Sequence, residues 1–244
     1  MKLWRYLTII GAALLLTGMF FLPNAVASVT DSQRLDNLVT VDSQSIRFDS
    51  TLKLTLPERL ALSANPKTEI LPLKTGNIMD SEAANEKIDQ ELRRLFEGSP
   101  FRFDFNSYIV EGSDASLVID ATVPTLNLII WELILVDKSE NRVTVMLDDE
   151  TGYILKLIYR LGDKNSSLTD TSISGTQDEQ FHFVAQSLTD MMKEYYGYTV
   201  LLSAYQFSRN IAYYKAELFG AGRVIPMYGA VRASSFTINE RQRE

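Results

Sequence analysis

The sequence predicts an α+β protein: two helix-plus-antiparallel-sheet units in tandem, after a signal peptide. Three observations carry that prediction. Residues 1–27 have the layout of an export signal, and helices with clear start signals are expected near 80–97 and 176–197. Each helix is followed by several β-rich runs, and a Ser/Thr/Asp/Asn-rich stretch separates the two halves. The expected divisions are a signal peptide at 1–27, an extended segment at 28–76 and a first α+β unit at 77–162. A linker at 163–176, a second α+β unit at 177–239 and a charged tail at 240–244 complete them.

Lys2 and Arg5 precede a mostly apolar run from Leu7 to Leu22, and Ala25-Val26-Ala27 stands before Ser28. A basic start, an apolar middle and a small-x-small end form the pattern of a cleaved signal, with cleavage expected after Ala27. The rival reading is a retained membrane anchor over 7–22. That run is 16 residues long, against the roughly 20 that span a bilayer. The expected location is therefore extracytoplasmic, secreted or in the cell envelope, with a membrane association only if the N-terminal segment is kept.

The 244-residue chain has a formal charge of −7. Removing residues 1–27 leaves 22 basic and 31 acidic residues, a charge of −9. Nucleic-acid binding depends on cations that neutralise phosphates, so this balance argues against it. The chain has no cysteine, which excludes disulfides, thiolate metal sites and lipid attachment through sulfur. A bacterial origin fits this composition.

Residues 28–45 are polar and read as a flexible lead-in. Ile46, Phe48, Leu52, Leu54 and Leu56 suggest a strand ending before Pro57, and Leu60 to Lys74, with Pro66 and Pro72, reads as irregular. Asp80 is a good N-cap for a helix to about Glu97, with Ala84, Ile88, Leu92, Leu95 and Phe96 on one stripe and Gly98 as a stop. Strands are expected through Phe101, Phe103 and Phe105, then over 117–119, 126–136, 143–147 and 153–159. Asp148-Asp149-Glu150-Thr151-Gly152 connects the last two and reads as a solvated hairpin turn in which Gly152 takes a positive φ. Thr176 and Glu179 form a capping box for the second helix, whose stripe is Phe181, Val184, Leu188, Met191, Met192 and Tyr195. Gly197 ends it, and strands follow over 199–207, 211–219 and 224–230.

The run from Trp131-Glu132-Leu133 through Arg142–Leu147 to Asp148-Asp149-Glu150-Thr151-Gly152-Tyr153-Ile154-Leu155 resembles the PepSY family. It has an aromatic-led strand, a second strand and an Asp-x-x-Thr-Gly turn (Asp148, Thr151, Gly152) into a third, with a helix on the N-terminal side. The resemblance implies a helix packed on an antiparallel sheet, similar to exported bacterial proteins with two cystatin-like units in tandem. It further implies a role in binding or restraining proteases, and it brings no shared catalytic residues.

Candidate chemistry is sparse. His182, the single histidine, falls off the buried stripe and reads as a surface residue rather than a catalytic one. Asp148, Asp149 and Glu150, with Asp137 or Glu132, could be weighed as calcium ligands, but the spacing lacks an EF-hand pattern and a plain turn is favoured. No catalytic, cofactor or metal residue is assigned. Seven of the eleven tyrosines lie between Tyr195 and Tyr228. The expected interaction surface is Phe183, Tyr196, Tyr213 and Tyr214, since an aromatic doublet on a strand sends one ring to each face. The expected function is a non-enzymatic protein-binding module with a protein partner in the envelope. The alternatives are a carboxylate hydrolase and a small-ligand carrier.

Overall fold

A computed structural model describes residues 53–99, 107–162, 168, 175–220 and 222–240, all within one compact unit that spans Ile46–Glu244. The signal segment, the Phe101–Phe105 strand, most of the linker and residues 241–244 lie outside the described residues.

The first described element is a helix, α1 (Leu56–Ala64), where the sequence suggested the end of a strand. Pro57 sits in its first turn, where a missing N–H removes no intrahelical bond. The Glu58 carboxylate accepts from Thr55 N at 2.8 Å and fixes the start. The stretch expected to be irregular then supplies strand β1 (Thr68–Leu73). Pro72 is tolerated there because β1 is an outer strand of the sheet.

Helix α2 (Ser81–Phe96) begins at Asp80, whose Oδ1 accepts from Ala83 N at 2.8 Å, and buries the predicted stripe. Four strands follow: β2 (Ile109–Asp120), β3 (Asn127–Val136), β4 (Arg142–Asp148) and β5 (Ile154–Arg160). Helix α3 (Gln177–Tyr196) carries the expected capping box and ends at Gly197 in the left-handed conformation. Strands β6 (Thr199–Ser208), β7 (Ile211–Gly220), β8 (Arg223–Arg232) and β9 (Ser235–Ile238) complete the fold.

The strands form one antiparallel sheet in the order β1-β2-β3-β4-β5-β9-β8-β7-β6. This overturns the two tandem units. The joint is β9, which pairs with β5 through Leu157↔Ile238 to Arg160↔Ser235 and with β8 through Ala230↔Thr237 to Arg232↔Ser235. A four-residue strand is too short to show a period, so it left no trace in the hydrophobic pattern.

The shortness of β9 has a second effect. Ile154–Lys156 of β5 and Arg223–Gly229 of β8 have no strand between them, and α1 packs against both β5 and β8. Asn239, just past β9, ties this junction: its Nδ2 donates to Leu155 O (2.8 Å) and Leu60 O (3.2 Å). Pro226 fits within β8 because that part of the strand has a strand partner on one side only.

Register assigns side chains to two faces. Trp131, Leu133, Val145, Leu157, Tyr159, Phe236, Val231 and Tyr214 are linked by cross-strand pairs on one face, and all are buried. Helix α3 covers the β6–β8 part of that face, through the edge contact of Phe181 on Phe207 (5.7 Å) among others. Helix α2 packs on β2 and on α3. The two helices are joined by Tyr195, which donates to Glu91 Oε2 (2.7 Å) and accepts from Ile154 N (2.9 Å).

Candidate functional site

The C-terminal half of the sheet has a second face, opposite α3. Its side chains are the odd-numbered residues of β7 and their partners: Phe219 opposite Val224 and Thr199, Glu217 opposite Pro226 and Leu201, Lys215 opposite Tyr228, and Tyr213 opposite Ala230. Leu201 (54 %), Val224 (49 %), Tyr213 (49 %) and Phe219 (40 %) are all exposed. Phe219 faces Val224, and in the next row Leu201 and Pro226 stand on either side of Glu217; this exposed apolar group lies at the end where α1 begins. An ion pair between Lys215 Nζ and Glu217 Oε1 (2.7 Å) separates it from Tyr213. That pair holds the lysine above and the glutamate below their ordinary pKa values, each through its bond to the other.

The aromatic residues singled out in the sequence divide between these faces. Tyr213 is on the open face. Its neighbour Tyr214 is buried on the other, where its ring occupies the space above Gly229 and its hydroxyl donates to Thr237 O at 2.8 Å. A Cβ at residue 229 would lie 2.2 Å from that ring, so only glycine fits there. Tyr196 is also buried and donates to Ile154 O at 2.8 Å. Neither Tyr196 nor Tyr214 can belong to a contact surface. Both follow helix and strand packing into the core, and burial raises both hydroxyl pKa values. Phe183 is exposed (48 %) but stands on α3, on the opposite side of the sheet from Tyr213, so the structure does not bring these two together. His182 is exposed beside it, with its ring 4.8 Å from that of Tyr205.

The Asp148–Gly152 turn is not the solvated loop the sequence suggested. Asp148 is fully buried and takes both oxygens to Arg59 Nη1 (3.0 and 3.2 Å), while Thr151 N donates to Oδ2 (3.0 Å). Thr151 Oγ1 also donates to Asp148, and Arg59 Nη2 pairs with Glu150. Asp149 is buried too and accepts from the backbone N–H groups of Asn77, Ile78 and Met79 and from Trp131 Nε1. Gly152 has φ of +73° and lies against Lys87, as the turn requires. The turn therefore locks α1, the 76–79 segment and β3 together. Its carboxylates are committed to protein donors, and Asp137 is likewise committed to Ser139 N, Asn141 N and Asn141 Nδ2. No group of three or more potential metal ligands occurs among the described residues.

A half-open groove of about 380 Å³ runs beside α1, with Leu54, Ala61, Leu62, Leu126 and Ile225 as its apolar walls. Glu58, Asn65, Asp120 and Arg223 also line it. Bonds from Thr55 lower the Glu58 carboxyl pKa, and bonds from Thr122 lower that of Asp120. Both carboxyls are therefore held ionised, whereas a general acid needs a raised pKa to keep its proton at neutral pH.

Comparison with known proteins brings no match: no family model, no curated protein and no solved structure is similar enough to this chain to count. The reading of the site rests on its own geometry. The open face could have been found in the sequence from β7, where Tyr213, Lys215, Glu217 and Phe219 alternate with Ala212, Tyr214, Ala216 and Leu218.

Proposed function

We propose that this chain is an exported, non-enzymatic protein-binding module of the cell envelope, and that the open face of β6–β8 is its contact surface. The observation that carries the reading is the group of exposed apolar residues Leu201, Phe219, Val224 and Pro226, set around Glu217 and with Tyr213 beyond, on a face opposite the covering helix. Exposed apolar residues gathered on one face mark interaction sites more often than scattered ones do. Aromatic side chains are favoured anchors in such interfaces. The signal-like N-terminus supports export, and the PepSY resemblance of 131–155 supports a protease or another envelope enzyme as the partner.

Crosslinked capture from intact cells tests this, with the tagged full chain, its Leu201→Asp/Phe219→Asp variant and Phe183→Asp as a control on the helix side. One envelope protein is expected with the unaltered chain and with Phe183→Asp, and its recovery should fall about tenfold or more when two central contacts are lost. Equal recovery with all three chains, or none with any, overturns the reading.

The groove beside α1 favours a second reading, carriage of a small ligand. Its volume lies within the range of ligand pockets, and apolar residues and a few polar groups line it. Native mass spectrometry of the chain purified from its own cells would show a bound small molecule if that reading holds.

A further inference from the structure

At the end of the open face away from Phe219, one row across the sheet carries three arginines, with the buried Ser235 between the second and the third. Arg142 on β4 stands directly opposite Arg160 on β5. Arg160 is opposite Ser235 on β9, and Ser235 is opposite Arg232 on β8. Directly opposed residues project from the same face. The next row inward runs through Thr144, Ile158, Thr237, Ala230 and Tyr213, so the arginines rise from the face that bears Tyr213. Three strand spacings make the row roughly 14 Å long.

This concentration of positive charge stands on a chain whose formal charge is −7. Among the described residues, Arg142 is ion-paired with one carboxylate, Glu111 at 3.8 Å, with both side chains about half exposed. Arg160 and Arg232 have no ion-pair partner among the described residues. Glu240 makes no ion pair among the described residues; its carboxylate accepts from Thr237 Oγ1 at 3.0 Å. Like charges directly across a sheet destabilise it, so Arg142 opposite Arg160 is a cost to the isolated fold that a spanning anion would relieve.

We infer that the Arg142–Arg160–Arg232 row binds an extended acidic segment of the partner protein. The inference rests on the protein-binding reading above and adds the chemistry of what is bound. In an extended peptide, side chains on one side repeat every ~6.8 Å, so three alternate carboxylates cover roughly the length of the row. Guanidinium groups suit such a ligand because each can take a carboxylate with two parallel hydrogen bonds. Tyr213 and Ile211 flank the row on β7 and offer apolar contact to the rest of the segment.

The test is a fluorescence-anisotropy titration of the full chain with a labelled oligoglutamate peptide at low salt. Oligolysine, inorganic polyphosphate and phosphatidylglycerol vesicles run in parallel. Two variants are compared: Arg142→Gln/Arg160→Gln/Arg232→Gln, and a charge-matched control, Lys53→Gln/Lys67→Gln/Lys193→Gln. Oligoglutamate is expected to bind and oligolysine not to. The row variant should lose about tenfold in affinity while the control stays within about twofold. Equal losses in the two variants would assign the effect to net charge and overturn the site. Row-dependent binding that is tighter to polyphosphate or to vesicles would overturn the acidic peptide as occupant. The assay needs no captured partner, so its failure removes the acidic segment and leaves the apolar face to its own test.

Discussion

Arg59 is the residue on which the N-terminal part of the described fold turns. It lies on α1, is almost wholly buried and meets Asp148 and Glu150 across the β4–β5 turn. Burial raises the Asp148 carboxyl pKa, against the opposing pull of Thr151 and Arg59. The folded state therefore holds that proton more tightly than the unfolded chain does. This linkage adds stability at acid pH and is lost as the pH climbs through the folded pKa. Arg59→Met removes an opposing charge and pushes the carboxyl higher still. It should cost about 3 kcal/mol at neutral pH, where a buried carboxylate is left uncompensated. The cost should shrink as the pH falls into the ordinary carboxyl range and Asp148 takes up its proton. Urea unfolding at the two pH values measures this, and an equal loss at both would refute it. None of these contacts was visible in the sequence, where Asp148, Asp149 and Glu150 look like any acidic turn. Their donors lie far away in the chain, at Arg59, at 77–79 and at Trp131.

Among the elements, those that carry their own start and stop signals were legible. Asp80 with Gly98 bounds α2, and Thr176 with Glu179 and Gly197 bounds α3, as the local chemistry of helix ends dictates. Strands β3 to β8 were legible from alternation and turn residues. Elements whose form depends on a distant neighbour were not: α1 takes its place from the gap beside β9, and β1 with its Pro72 is a strand only because it borders β2. The open face was half legible, since the Tyr213-Tyr214 doublet announced opposite faces without saying which was covered. The sheet's two outer strands differ in a way that matters for solubility. β1 is short and carries Glu69 and Pro72, both of which discourage pairing with another chain. β6 runs for ten residues with no charge and no proline, and its main protection is the bulge between Leu202 and Ala204. Gln206→Lys places a charge on its exposed side and should leave stability within about 0.5 kcal/mol. Self-association at high concentration should fall, as sedimentation velocity would show; an unchanged profile would mean that this edge does not self-pair.

For the molecule as a whole, the continuous sheet replaces two independent units with one. The halves share β9, the Tyr195 bonds to Glu91 and Ile154, and the Asn239 tie to α1 and β5. Unfolding of the described unit should therefore be a single transition, with Trp131 fluorescence and far-ultraviolet circular dichroism coinciding along a urea titration. Two separated transitions would restore independent units. The place of β9 also bears on how the chain reaches this state. The strand latest in chain order sits in the middle of the sheet, so β5 and β8 both wait for residues 235–238 before either gains its inner neighbour. The pairing with β8 is a tight hairpin, but the pairing with β5, Leu157 to Ile238, closes a very long loop, which is slow. A chain made from its N-terminus can pair β1 to β5 and β6 to β8 but lacks the joint between them until that stretch has emerged. The topology thus holds back completion of the sheet until residues 235–238 are in place.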